Sequence, residues 1–106
     1  MTAPSLVRFG QVWQSNPETI GTMSYLVVSS DDYNDFYGDR RVIAVEVDSA
    51  AVYQGDYREP IVDVGTAHLD RLVWVARGHL LGLVGQLHPD RHAAVATVIR
   101  GLIGNL

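Results

Sequence analysis

Apolar residues in this chain come in short runs broken by Gly, Pro, Asp or Asn, until one longer stretch near the end repeats with a helical period. Short alternating runs form strands, and a three-and-four repeat forms one face of a helix, so this pattern limits the fold to a small sheet closed by a terminal helix. Val7 to Gln14 places Val7, Phe9 and Trp13 on one side of an extended segment, with Gly10 marking a bulge or a close backbone approach. Ser15 to Thr22 is a turn-rich loop punctuated by Pro17 and Gly21. Tyr25 to Val28 is apolar on both faces and belongs in the middle of a sheet, whereas Ser30 to Asn34 predicts a tight turn or one helical turn. Arg41 to Val47 alternates, with Ile43, Val45 and Val47 on one side and Glu46 on a wet face. Ala51 to Glu59 predicts an exposed loop. Pro60 to Val64 and Leu69 to Arg77 predict two further strands, turned at Gly65-Thr66, the second apolar on both faces at Leu72 to Val75. Pro89 and Asp90 suit a helix start and Gly104 its end, with Val95, Val98, Ile99, Leu102 and Ile103 on one apolar face. The expectation is one α+β domain over residues 1–106, mostly β, with five to seven short strands and a C-terminal amphipathic helix.

Charge narrows the function. The net charge of −4 argues against broad binding to duplex nucleic acid but leaves room for one positive groove taking a short single strand. All eight basic residues are arginine, a pattern that GC-rich codon usage explains better than selection for phosphate forks. Cysteine is absent, which excludes disulfides, thiol nucleophiles and thiolate metal sites and fits a cytoplasmic protein. No stretch approaches a membrane span or a signal peptide, so no membrane role is expected.

No single chemical motif stands out. His88 and His92 have the spacing of a helical metal pair, but neither an HExxH pattern nor a third ligand accompanies them, so no metal or other cofactor is expected. His68, between two strands and near Thr66, is the best histidine candidate for acid–base work, though its position also suits an ordinary loop histidine. Asp48 beside Ser49 has the residue types of a base and a hydroxyl, and the same types cap turns after strands. Trp13 has the ring needed to stack a base, yet its place in the pattern suits the core better; the Tyr33 to Tyr37 cluster, interleaved with acids, suits a protein-contact surface.

The order of these elements resembles the growth-inhibiting toxins of the MazF and PemK type, in the superfamily that also contains CcdB. The first strand of that family has the form basic-x-Gly-acidic-hydrophobic-Trp, matched here by Arg8-Phe9-Gly10-Gln11-Val12-Trp13. A hydrophobic second strand and a polar turn ending in Asn are matched by Tyr25 to Val28 and Ser29 to Asn34. Asp70 opens the later strand, and Val84-Gly85-Gln86-Leu87 precedes the helix at the family's spacing. The resemblance spans nearly the whole chain and implies a small SH3-like barrel, a homodimer and a cognate antitoxin partner.

The chemistry is matched less well than the framework. The catalytic Arg-Pro pair of the family falls on Met23 and Ser24, and the partner Thr or Ser falls on Val47, with Ser49 two residues on along the same face. The Gln that follows Asp70 in the family is Arg71. Cleaving RNA without a metal requires a base for the 2′-hydroxyl, an acid for the leaving oxygen and a cation for the phosphorane. The candidate catalytic residues are therefore Ser49, Asp48, His68 and Arg41, with Arg40 or Arg41 standing in for the missing arginine. Candidate contacts to single-stranded RNA or a partner are Trp13, Arg40, and Asn16 and Thr22 in a loop that would gate the groove. The alternatives are a non-enzymatic toxin that binds a protein target such as DNA gyrase through its C-terminus, here Ile103 to Leu106 without the expected aromatic, and a binding barrel that is not toxic at all.

Overall fold

The computed structural model describes residues 7–15, 23–49 and 55–104. Its elements are β1 (Gln11–Gln14), β2 (Ser24–Val27), α1 (Asp31–Tyr37), β3 (Arg41–Asp48), β4 (Arg58–Ile61), β5 (Gly65–Ala76), β6 (Gly82–Gln86) and α2 (His92–Ile103). The strands form one antiparallel sheet in the order β4-β5-β3-β2-β1-β6. The sheet curls until its two edges approach. A Cβ on Gly85 of β6 would lie 2.5 Å from Val64 Cγ2, just beyond β4. Only a residue without a side chain permits that approach. The result is a six-stranded half-barrel with a C-terminal helix, the mostly-β α+β architecture expected.

Two apolar layers sandwich the sheet. On one side Val12, Leu26, Val45 and Leu69 pack with Val95 and Ile99 of α2; on the other side lie Trp13, Val27, Val42, Ala44, Val75 and Leu80. β3 alternates between them, so the face expected to be wet is dry: Val42 and Ala44 are fully buried beside Trp13 and Leu80, and Glu46 is a local exception. Conversely, the stretch Leu72 to Val75, expected to be apolar on both faces, buries Val75 but leaves Trp74 65% exposed. β2 is central as expected, hydrogen-bonded to β1 and β3.

Ser30 caps α1 by accepting a hydrogen bond from Tyr33 N, so the predicted turn becomes a seven-residue helix. Asn34 in that helix is buried and donates from Nδ2 to the Ser29 carbonyl, while Ile43 N donates to Ser29 Oγ and joins the helix to β3. α2 follows a 3-10 turn at Pro89–Arg91 and buries Val95 and Ile99. Each such aliphatic side chain contributes about 1.5–3 kcal/mol when removed from water. Its start is fixed on two sides: Phe9 meets the His92 ring edge-on at 5.2 Å, and Arg91 bridges to Glu59. Among the described residues no helix is long and apolar enough to cross a membrane.

Candidate active site

The candidate site forms where β3 runs out and β5 changes partner. Arg41 to Val45 pair with Ala76 to Leu72 in even register, but the next pairs are Val47 with Ala67 and Asp48 with Thr66. Four residues of β5, His68 to Arg71, thus stand opposite the single residue Glu46. Such a bulge bends the strand and re-aims its side chains. Asp70 on it turns to β4, where Arg58 Nη1 donates to its carboxylate at 2.7 Å. Its neighbour Arg71 lines a cavity of 270 Å3 together with Met23, Glu46, Val47, Asp48, Ser49 and His68. Met23 arrives there because Ser24, the first residue of β2, pairs with Val47.

The cavity joins three of the four catalytic candidates, Asp48, Ser49 and His68, and excludes the fourth. Arg41 sits at the opposite end of β3, roughly 23 Å away at the rise of an extended strand. There it donates from Nε to the Tyr33 hydroxyl and stacks over the Tyr37 ring at 4.3 Å. Arg40 precedes it at the same far end and is exposed. Neither arginine meets Ser49, because strand direction separates them. Trp13 is also corrected as a contact residue: it is 6% exposed, its indole N–H donates to Gln11 Oε1, and Arg77 covers its ring at 4.8 Å. No base can stack on a ring enclosed in this way. Ile103 is well exposed on the last turn of α2. Asn16, Thr22 and Leu106 lie outside the described residues.

His68 is not in a loop. β5 begins at Gly65, earlier than expected, and carries the ring to the floor of the cavity with 1% of its surface exposed. Burial, followed by the nearby charges of Arg71 and Arg58, lowers its pKa from 6.5, while Asp48 and Asp70 pull more weakly the other way. The imidazole is neutral at pH 7 and suits a supporting role beneath the reacting groups. Arg71 and Glu46 complete the lining and were not among the expected site residues; only the bulge, which no local pattern announces, brings them in. No cluster of three or more metal-binding side chains occurs among the described residues.

The described residues thus form a curled antiparallel half-barrel closed by one helix, with a polar cavity where the third and fifth strands part. Comparison with solved structures finds the same fold in MazF-type toxins. An endoribonuclease from a mycobacterial species, in complex with its cognate antitoxin, matches 92% of this chain and 94% of its own with a TM-score of 0.74 at 17% identity. A chain of the MazE–MazF complex (Form-I) from Deinococcus radiodurans covers 95% of this chain and 99% of its own with a TM-score of 0.72 at 19% identity. MazF (Form-I) from the same organism gives 0.66 at 18% identity over 92% and 96%. No protein-family model matches the sequence, and no curated protein does. At these identities the likeness concerns the fold.

Proposed function

We propose that this protein is the toxin of a type II toxin–antitoxin pair and cleaves single-stranded RNA, without a metal, at the cavity between β2, β3 and β5. The carrying observation is the convergence of Asp48, Ser49 and Arg71 on one cavity of a MazF-type fold, with Met23 where the family motif has its arginine. Hydroxyl, carboxylate and guanidinium are the group types that in-line transesterification needs. The 2′-oxygen attacks the adjacent phosphorus and its proton passes to Asp48. The bond from phosphorus to the 5′-oxygen breaks, and that oxygen takes a proton from solvent, leaving a 2′,3′-cyclic phosphate and a 5′-hydroxyl. Ser49 donates a hydrogen bond to the phosphoryl oxygen. A cognate antitoxin and a homodimer accompany this reading, in line with the antitoxin present in the mycobacterial and Deinococcus complexes.

The test is incubation of the purified chain with a varied single-stranded RNA pool in the presence of a chelator. Cleavage leaving 5′-hydroxyl ends, reduced at least about tenfold in Ser49→Ala, is the expected result. An intact pool would falsify the assignment. Growth arrest on expression, with cellular RNA intact, would transfer the reading to a toxin with a protein target.

A further inference from the structure

The arginines of this chain are mostly committed. Arg8 pairs with Asp35 at 2.9 Å, Arg58 with Asp70 at 2.7 Å, and Arg91 with Glu59 at 2.9 Å. Arg41 is held by Tyr33 and Tyr37, and Arg77 donates to the Leu80 carbonyl beside Trp13. Arg40 and Arg100 are exposed at places that do not line the cavity. Arg71 differs from all of these. It lines the cavity, it is exposed, and among the described residues its guanidinium makes no hydrogen bond or ion pair. The neighbouring Asp70 gives its hydrogen bond to Arg58 and acts on Arg71 only through its charge.

We infer that Arg71, projected by the bulge of β5, is the phosphate-binding group of this cavity and receives a backbone phosphate of the single-stranded RNA, an assignment that rests on the RNA-cleaving reading above. Glu46 and Asp48 line the same cavity and repel a phosphate, so the phosphate finds attraction on the Arg71 side and the Ser49 hydroxyl. A guanidinium stays charged at every physiological pH and presents its N–H groups as a planar fork to two phosphate oxygens. The bulge also keeps Arg71 out of the ladder pairing, so no strand partner restricts the side chain. Met23 contributes an apolar wall, and the cation enters from the opposite strand.

Fluorescence anisotropy with a 2′-O-methyl oligonucleotide, which binds without being cut, tests this across a series of salt concentrations. In Arg71→Ala affinity should fall about tenfold, and the slope of log affinity against log salt should lessen by about 0.7, the value for one phosphate on a single strand. Arg71→Lys should keep the slope but recover only part of the affinity, since charge remains and the fork is lost. Arg100→Ala, distant from the cavity, should bind like wild type. Thermal unfolding of Arg71→Ala should match wild type, showing that no structural contact was removed. Wild-type affinity and slope in Arg71→Ala, with RNA cleavage still present in the parent protein, would overturn the role of Arg71 alone. A parent protein that neither binds nor cuts RNA would overturn both this role and the proposed function.

Discussion

Arg91 grips Glu59 with two parallel hydrogen bonds, Nε to Oε2 and Nη2 to Oε1, each 2.9 Å long. The carboxylate is buried and the guanidinium half exposed, so the pair fastens the start of α2 to the edge strand β4. Removing Arg91 leaves a buried carboxylate without its partner, a more serious loss than the pair's net contribution. Arg91→Ala should destabilise the protein by about 1–3 kcal/mol in urea unfolding, and Glu59→Gln added to it should recover part of that loss. An unchanged midpoint in the single variant would show that the bridge does not hold the helix.

Gly10 and His92 make the second tie between sheet and helix. Gly10 has a φ of +89°, and a Cβ there would lie 2.8 Å from His92 Nε2. His92 in turn contacts the Leu87 carbonyl through Nε2 at 3.2 Å. Gly10→Ala should cost about 1–3 kcal/mol, from the left-handed backbone and the collision together. Gly10→Ala with His92→Ala should regain only the collision's share, a separation that a double-mutant cycle measures directly.

Asn34 closes a buried polar link between α1 and the sheet, with its side chain joined to Ser29 and Ser29 joined to Ile43. Asn34→Ala leaves the Ser29 carbonyl without its donor and the Ser29 hydroxyl proton without its acceptor, and a loss of about 1–3 kcal/mol is expected from chemical denaturation. Asn34 ends the polar turn that carried part of the family resemblance, which gives that motif a structural reason independent of catalysis.

Acid should weaken the fold in a window set by His68. Burial, then Arg71 and Arg58, lowers its pKa in the folded state, whereas in the unfolded chain it titrates near 6.5. The unfolded state therefore binds the proton first as pH falls. The stabilising contribution is complete above pH 6.5 and disappears as pH drops through the lowered folded value. Melting temperature should decline below pH 6.5 in wild type, and His68→Asn should lose that first decline. Arg71→Ala should move the His68 titration upward in histidine NMR, since one of the two repelling cations is gone. Asp70 provides a second, lower window: desolvation opposes its ionisation, but the Arg58 hydrogen bond prevails and holds its pKa below 3.8.

Periodicity within each segment determined much of this protein before any folding. The repeat of Val95, Ile99 and Leu102 marked α2, the doubly apolar Tyr25 to Val28 marked a central strand, and Gly10 marked a close approach now seen against His92. These are local signals, carried by residues near one another in the chain. Asp48, Ser49 and His68 were also legible as chemical types, and the structure places all three on one cavity. Tertiary structure alone decided the rest. Which face of β3 is dry depends on Trp13 and Leu80 arriving from distant segments. Whether Arg41 or Arg71 lines the cavity with Ser49 depends on the direction of β3 and on a change of register in β5. Register is set by pairing between strands far apart in sequence, so no pattern within either strand encodes it; the cation at the cavity is therefore a property of the folded sheet.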